Sequence, residues 1–389
     1  MTTTASGLPV EPKDWEAFRR QMPIAQTWAY FDHAAVSPLP EPTRRALAEW
    51  TEEAARSGDT AWPSWSQKVE ALRRQAAHLI GASPEEIALI RNTTEGVNLV
   101  AEGFPWQPGD NVVTLADEFP TNQYPWMNLA QRGVETRRVP TEDGVVDLER
   151  LARACDERTR IVSVSWVSYS SGWRNDLERI AAIAHDRGAL FFLDAIQGLG
   201  VFELDVGRTP VDFLAADGHK WLLGIEGAGI FYLRREHLGR LRPVGVGWNS
   251  VARCHDFQHI ELVLKDSADR YEGGSQCMAG MIALAASLEL LMSYGAAALG
   301  RRIVEVTEQA CRGLREIGAV LHSDRSPEHA SGIVAFEFPG RDPLAMKKHC
   351  LQRNVVLSCR AGRLRISPHA YNNEQDIQRL VEALKEFRL

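Results

Sequence analysis

Four residues that can do acid–base and nucleophilic chemistry lie close together between positions 191 and 233. Asp194 directly follows an apolar run, and Gln197 comes three residues later. His219 and Lys220 follow the next apolar run, FLAAD, and are themselves followed by several glycines. A lysine amine beside acid–base partners can form a Schiff base with a carbonyl compound and can transfer protons. Each residue alone also has a structural interpretation, because an aspartate can cap a helix and a single lysine is usually a solvated charge.

The same residue types are what a pyridoxal 5′-phosphate (PLP) site requires. A lysine forms the Schiff base, a carboxylate keeps the pyridine nitrogen protonated, and a donor holds the ring hydroxyl. The four residues together fit these needs, because they follow predicted strands, and open parallel sheets bind ligands at the carboxyl ends of their strands. Their joint spacing therefore favours a PLP site with Lys220 as the catalytic residue.

The phosphate of PLP requires backbone N–H groups at the N-terminus of a helix. The segment 91–101, RNTTEGVNLVA, follows the apolar run IALI and opens a predicted helix. Thr93 and Thr94 would place hydroxyl and N–H groups at this positively polarised end. The alternative is that Asn92 or Thr93 only caps the helix, with support from Glu95.

Short apolar runs alternate with amphipathic helical patterns over most of the chain. The apolar runs lie at 87–90, 111–116, 160–167, 189–194, 213–216 and 229–234. Between them, stretches such as 176–187 carry apolar residues at helical spacing. This alternation predicts an α/β fold with a largely parallel sheet that is buried on both faces.

The pattern changes after about residue 280, where two long helical segments precede short strands and a final helix. We therefore predict a large PLP-binding domain at 31–280 and a small α+β C-terminal domain at 281–389. Residues 1–30 are too few to fold alone, and we expect this N-terminal segment to pack against the small domain.

The bulk composition excludes several classes of protein. A net charge of −7 argues against a surface built for nucleic acid or anionic lipid. No apolar stretch reaches the length of a membrane span, and the N-terminus lacks the pattern of a secretory signal. The six cysteines are scattered without a C-x-x-C pair, which predicts a reducing, cytoplasmic location and no metal site. A nicotinamide dehydrogenase would need G-x-G-x-x-G after its first strand, and that motif is absent.

The sequence resembles the class V aminotransferase family, a branch of the fold-type I PLP-dependent enzymes. The resemblance runs from YFDHAAVSPLP (30–40) to LRISPHAYNNEQDI (364–377), and the pair D-A-I-Q and D-G-H-K is its most specific part. It implies a seven-stranded, mostly parallel sheet in the large domain. It also implies that Lys220 forms the Schiff base and that Asp194 pairs with the pyridinium nitrogen. The remaining cofactor contacts implied by the family are Gln197 at the ring oxygen and Thr93, Thr94 and His219 at the phosphate.

The resemblance extends to the substrate side of the site. Phe119, in EFPTNQYPW, matches the position that stacks on the ring, and Arg365 matches the arginine that binds the substrate α-carboxylate. The match also assigns substrate contacts to His33 and Tyr169. Arg363, two residues before Arg365, is a weaker candidate for the carboxylate. A guanidinium fork suits this role, because it binds a carboxylate through two parallel hydrogen bonds.

Members of the family form homodimers with active sites at the subunit interface. Ser275, in YEGGSQ, matches a loop that contacts the phosphate in the partner subunit. Asp217 stands where the family has a serine that would contact the phosphate. Because an ionised carboxylate beside a phosphate is unfavourable, we expect Asp217 to turn away or to pair with a nearby cation.

The reaction that follows Schiff-base formation stays open at this point. We predict an enzyme acting on an α-amino acid, nearest the isopenicillin N epimerase-like branch. The alternative is a cysteine desulfurase or C–S (selenocysteine) lyase, for which Cys359 could be the sulfur-accepting nucleophile or simply the end of a strand. A PLP-binding regulator without turnover is a further alternative, but such regulators carry a separate DNA-binding domain that this chain has no segment for.

Overall fold

A seven-stranded sheet forms the centre of the protein in the computed structural model, which describes residues 13–387. Numbered in chain order, the strands are β1 (Ala29–Tyr30), β2 (Ile87–Ile90), β3 (Asn111–Leu115), β4 (Glu135–Val139), β5 (Thr159–Ser165), β6 (Leu190–Asp194), β7 (Phe213–Asp217), β8 (Gly229–Leu233), β9 (Val320–Leu321), β10 (Val334–Glu337), β11 (Val355–Val356), β12 (Ser358–Arg360) and β13 (Arg363–Ile366). The helices are α1 (Trp15–Arg20), α2 (Glu41–Ser57), α3 (Trp62–Ile80), α4 (Thr93–Gly103), α5 (Tyr124–Asn128), α6 (Leu148–Ala154), α7 (Leu177–His185), α8 (Met278–Tyr294), α9 (Ala296–Glu316), α10 (Pro343–Leu351) and α11 (Glu374–Lys385).

The large sheet has the strand order β2-β8-β7-β6-β5-β3-β4. Strand β8 is antiparallel to both of its neighbours, β2 and β7, and the other pairs are parallel. All strands except β8 therefore run in one direction, and their carboxyl ends meet at the same edge of the sheet. This is the edge at which parallel sheets bind ligands, and the predicted α/β fold with a seven-stranded sheet is confirmed.

The inner strands read as uninterrupted apolar runs because helices cover both faces of the sheet. Every residue of β2, β3, β6, β7 and β8 is buried, as is typical of strands in such sheets. Strand β4 has no apolar run and escapes the sequence analysis, because only Val139 in it is buried. Charged side chains on an edge strand protect the edge from pairing with other sheets.

The C-terminal part of the chain has its own sheet and its own apolar core. The antiparallel strands β12-β13-β10-β9 form this sheet, and a cluster of apolar side chains from α9, α10 and α11 packs with it. The apolar run 355–359 is divided into β11 and β12, and β11 pairs in parallel with β1. Among residues 13–387, no single helix is long and apolar enough to cross a membrane, and α8 and α9 meet that test only jointly, with a bend of 83° between them.

The first described helix, α1, packs on residues from the C-terminal part of the chain. The ring of buried Phe18 lies 4.8 Å from that of Tyr294, and Arg19 forms an ion pair of 2.6 Å with Asp376. Residues 1–12 of the predicted N-terminal segment lie outside the described residues. The domain boundaries at residues 30 and 280 stay predictions.

Candidate active site

A cavity of about 300 Å³ opens at the carboxyl edge of the large sheet. It brings together residues from the ends of β5, β6 and β7, from the N-terminus of α4 and from β12 and β13. The predicted site residues that line it are Thr93, Thr94, Phe119, Tyr169, Asp194, Gln197, His219, Lys220 and Arg365. These residues are scattered over more than 270 positions of the sequence, so the fold and not the local sequence assembles the cavity.

Lys220 and Asp194 are buried ionisable residues that line the cavity and act on each other. Burial lowers the pKa of Lys220 to about 8, and the nearby Asp194 carboxylate opposes this shift. Burial raises the pKa of Asp194 to about 6, although a backbone hydrogen bond from Ile196 and the charge of Lys220 act in the other direction. A lysine with a lowered pKa exposes a larger fraction of neutral amine near pH 7, which is the form that attacks a carbonyl carbon.

The first turn of α4 forms one end of the cavity. The side chain of Asn92 caps this helix by accepting a hydrogen bond from the N–H of Glu95 at 2.9 Å. Thr93 Oγ1 accepts from the backbone N–H of Asp217 at 3.0 Å, which ties the helix to the end of β7. Capping of the helix by Asn92 and binding of an anion at the same helix end are thus compatible with each other. The cap leaves the positive end of the helix facing the cavity.

Gln197 is held in one orientation by two hydrogen bonds. Its Nε2 donates to the carbonyl of Ala34 at 3.0 Å, and its Oε1 accepts from Trp221 Nε1 at 2.8 Å. A primary amide carries two N–H donors, so one donor of Gln197 is not used by these contacts. Trp221, which no pattern in the sequence indicated, fixes which end of this amide is the donor.

Phe119 and Tyr169 form an aromatic wall beside Lys220. Their ring centroids are 5.2 Å apart in an edge-on arrangement, and Lys220 Nζ lies 5.6 Å from the centre of the Phe119 ring. Phe119 is 44% exposed in spite of its apolar character. An exposed aromatic ring over a cavity is suited to stacking on a planar ligand.

Arg365 is almost completely buried and is held by three hydrogen bonds. Its Nε donates to Ser358 Oγ at 3.0 Å, one Nη donates to the carbonyl of Tyr169 at 2.5 Å, and the other donates to Asp32 Oδ1 at 3.0 Å. Arg363 does not line the cavity, and pairs instead with Asp143 at 2.8 Å.

Two further predicted site residues do not line this cavity. His33 is buried, with Nδ1 donating to the carbonyl of Ser367 and Nε2 accepting from the hydroxyl of Tyr371. Both ring nitrogens are therefore used by the protein, and the contact of His33 with the substrate stays a prediction. Ser275 lies in a neighbouring cleft beside the N-terminus of α4, and its predicted contact with the phosphate in a partner subunit stays a prediction.

Arg360 is a functional candidate that the sequence analysis missed. It lines the cavity together with Arg365, and its positive charge contributes to the lowered pKa of Lys220. Among residues 13–387, its side chain makes one hydrogen bond, from Nη1 to the carbonyl of Cys359 at 2.9 Å, and no ion pair. The alternation of side chains along a strand that begins with Ser358 could have indicated Arg360.

Cys359 faces away from the cavity. Its neighbours in β12, Ser358 and Arg360, both point to the cavity side, where Ser358 bonds to Arg365. Successive side chains in a strand point to opposite faces, so Cys359 lies on the other side, where the charges of Lys347 and Asp342 act on it. Burial raises the pKa of its thiol. Within residues 13–387, no cysteine lines the cavity.

A second buried carboxyl group, also missed from sequence, lies behind the cavity wall. Glu118 accepts a hydrogen bond from the backbone N–H of Ser165 at 2.7 Å and another from its hydroxyl. Burial raises the pKa of Glu118 to about 8, with a smaller contribution from the charge of Asp194. Ser165 lines the cavity next to Asp194, so Glu118 fixes the orientation of this serine.

The residues of the cavity fit a PLP molecule. Lys220 Nζ makes no hydrogen bond within residues 13–387, and Asp194 Oδ1 accepts only from a backbone N–H. A buried lysine and a buried carboxylate with so few hydrogen-bond partners leave capacity that a ligand can use, because buried polar groups are costly when they are not hydrogen-bonded. Lys220 would hold the carbonyl carbon, Asp194 the ring nitrogen, Phe119 one face of the ring and the N-terminus of α4 the phosphate.

Comparison with known proteins agrees with this donor set. The family model described as Aminotransferase class-V matches residues 29–380. A probable cysteine desulfurase from Methanothermobacter thermautotrophicus is 34% identical over 395 residues, which cover 96% of this chain and 98% of the relative.

Solved structures show the same architecture. The apo structure of cysteine desulfurase from Thermococcus onnurineus is 26% identical, covers 97% of this chain and 99% of its own, and has a TM-score of 0.87. A structure of a C-DES mutant with glycine covalently linked to its PLP cofactor is 23% identical, covers 97% of this chain and 100% of its own, and has a TM-score of 0.90, a likeness of fold.

The predicted resemblance, cofactor and enzyme class are thus confirmed by a family match over most of the chain and by relatives of nearly equal length. Two of the proteins reported above are named a probable cysteine desulfurase and a cysteine desulfurase, which supports the desulfurase or C–S lyase alternative better than the epimerase-like branch that the sequence first suggested. This chain belongs to the class V aminotransferase family and is a PLP-dependent enzyme.

Proposed function

We propose that this enzyme is a C–S lyase, which cleaves the Cβ–S bond of a sulfur-containing amino acid and releases the sulfur product to solution. The observation that carries this proposal is the orientation of Cys359. A desulfurase that stores sulfur on its own cysteine needs a thiol that reaches the substrate, and Cys359 lies on the opposite face of β12 from the cavity. The desulfurase names of the relatives support a sulfur-containing substrate.

The residues of the cavity can carry out this reaction on an α-amino acid. Arg365 binds the α-carboxylate of the substrate through its guanidinium, and Lys220 Nζ removes the proton from Cα. When bound, PLP supplies an electron sink for the negative charge that develops at Cα. The Cβ–S bond then breaks with its electron pair on sulfur, and Lys220 holds the proton that was taken from Cα.

Arg360 indicates which sulfur-containing amino acid the cavity accepts. Two guanidinium groups at one cavity are unfavourable unless an anion compensates them, and among the described residues Asp32 forms an ion pair only with Arg365. A substrate with a second carboxylate would pair with Arg360 while Arg365 binds the first. L-cystine has this arrangement, whereas L-cysteine has one carboxylate. We therefore propose L-cystine as the preferred substrate, cleaved with one water molecule to pyruvate, ammonia and the persulfide of cysteine.

The test is a product assay on the purified enzyme loaded with PLP. L-cystine and L-cysteine are supplied separately, and pyruvate, alanine, persulfide, sulfide and the D-enantiomer of the substrate are measured. Formation of one pyruvate and one persulfide for each L-cystine consumed would support the proposal. Alanine together with sulfur bound to the enzyme would identify a desulfurase instead, and the D-enantiomer would identify the epimerase-like branch.

We also propose that the enzyme is a homodimer in the cytoplasm. Ser275 lies outside the cavity of its own chain, as expected for a residue that serves a partner. Apolar side chains are exposed on the segment between β8 and α8, namely Val246, Trp248, Phe257, Ile260 and Leu262. Light scattering at micromolar concentration tests the dimer, and a monomer that turns over would contradict it.

A further inference from the structure

A carboxylate lies in the cavity at the end where the phosphate is expected. Asp217 ends β7 and is 5% exposed, and its backbone N–H is bonded to Thr93 in the first turn of α4. Its Oδ1 is buried and has no hydrogen-bond partner within residues 13–387. A buried carboxylate beside a bound phosphate is unfavourable unless a positive charge lies between the two anions.

His219 is the group that can carry this charge. Its Nδ1 lies 3.0 Å from Asp217 Oδ2, which is close enough for an ion pair although the two groups are not aligned as a hydrogen bond. Nδ1 is buried, and the ring lines the cavity, which leaves Nε2 as the nitrogen available to a ligand. A neutral imidazole has one N–H only and could not donate to Asp217 and to a phosphate at the same time.

We propose that Asp217 is a positioning residue which, together with the cofactor phosphate, holds His219 as the doubly protonated imidazolium, so that binding of the phosphate takes up a proton. Nδ1–H then faces Asp217, and Nε2–H donates to the phosphate. The proton comes from solvent and no covalent bond changes. The carboxylate, the imidazolium and the phosphate form a row of alternating charges. Asp217, which would otherwise repel the phosphate, then stabilises its binding through His219.

The other charged groups at this cavity do not provide the same contact. Lys220 follows His219 in the chain and lies near Asp194 at the end of β6. Glu226 is at the exposed mouth of the cavity, and Arg360 and Arg365 approach from β12 and β13. From α4, Thr93 and Thr94 contribute uncharged hydroxyl groups. Lys220 is therefore the group whose protonation must be separated from that of His219 in an experiment.

The experiment measures binding of pyridoxine 5′-phosphate to the full-length chain freed of PLP. This probe has a phosphate but no aldehyde, so it forms no bond with Lys220. Calorimetry at pH 8 in two buffers of different ionisation enthalpy gives the number of protons taken up. Histidine is ordinarily neutral at this pH, so we expect uptake of about one proton. The ³¹P chemical shift of the bound probe shows whether the phosphate itself remains a dianion.

Three variants separate the alternatives. Asp217→Asn should lose most of the proton uptake and should weaken binding of the probe at pH 8 by about tenfold, which corresponds to a pKa difference of about one unit. Asp217→Ser should also lose the uptake but bind well, since a hydroxyl can donate directly to the phosphate. Lys220→Gln should retain the uptake. Loss of uptake in Lys220→Gln would assign the proton to the lysine and overturn the proposal. Unchanged uptake, or tighter binding by Asp217→Asn from pH 6 to 9, would equally overturn it.

Discussion

Asp32, which is half-buried, and Arg365, which is buried, form an ion pair of 3.0 Å between the segment after β1 and strand β13. The guanidinium is 1% exposed, and burial lowers its pKa while the charge of Asp32 acts in the opposite direction. The same arginine is also bonded to Ser358 and to the carbonyl of Tyr169. The residue that is expected to bind the substrate is therefore fixed in place before any substrate arrives, which lowers the cost of ordering it on binding.

Removing the carboxylate should leave a buried and uncompensated cation. We expect Asp32→Asn to lower the free energy of unfolding of the PLP-loaded enzyme by about 3 kcal/mol, the usual effect of breaking a buried pair. Urea denaturation measures this change. The matched control is Asp143→Asn, which removes the exposed partner of Arg363 and should change stability by less than about 1 kcal/mol. Equal effects of the two substitutions would contradict the importance of the buried pair.

The second arginine of the cavity should determine the choice of substrate. We expect Arg360→Gln to raise KM for L-cystine about 30-fold, because one charge-assisted contact of about 2 kcal/mol is lost. KM for L-cysteine should change by less than about threefold, since that substrate has no distal carboxylate to lose. Arg363→Gln, outside the cavity, is the control. An equal rise of KM for both substrates would mean that Arg360 does not bind a distal anion.

The low pKa of Lys220 should appear in the reaction of the PLP-free enzyme with PLP. The neutral amine is the attacking form, so the rate should rise with pH through a midpoint near 8. Because Asp194 raises the pKa of Lys220, Asp194→Asn should move this midpoint to lower pH. Stopped-flow absorbance at different pH values measures both curves. A midpoint near that of ordinary lysine, about 10.4, would show that the amine is not perturbed.

The aromatic wall should contribute to cofactor affinity. We expect Phe119→Leu to weaken PLP binding about fivefold, in line with a stacking contribution of about 1 kcal/mol. Phe119→Tyr retains the ring and should bind PLP nearly as well as the unchanged enzyme. Equilibrium dialysis against PLP gives the two dissociation constants. Equal affinity of the leucine variant and the unchanged enzyme would indicate that Phe119 does not stack on the cofactor.

The buried strands and the residues that directly follow them were predictable from the sequence, because both leave local patterns. Apolar runs indicate β6 and β7, and Asp194 and Lys220 follow those runs at the edge where parallel sheets bind ligands. Strand β4 was not predictable in this way, since an exposed edge strand needs no apolar run.

Contacts between distant parts of the chain were not predictable from local sequence patterns. His33 matched a family segment, but its ring is turned into the core toward Tyr371 and Ser367. Asp32, its neighbour, contacts Arg365 at the cavity instead. Arg360 and Cys359 are adjacent in sequence and differ in the face of β12 on which they lie, and only the register of β12 with β13 decides which of the two reaches the cavity.

The most direct test of the proposed function is the turnover of Cys359→Ser with L-cystine and with L-cysteine. The lyase account predicts that this variant forms pyruvate and the sulfur product at no less than about half the rate of the unchanged enzyme, because the thiol lies outside the cavity. A loss of sulfur release of about a hundredfold or more, with PLP still bound, would show that Cys359 accepts the sulfur. The enzyme would then be a desulfurase whose strand β12 must rearrange during turnover.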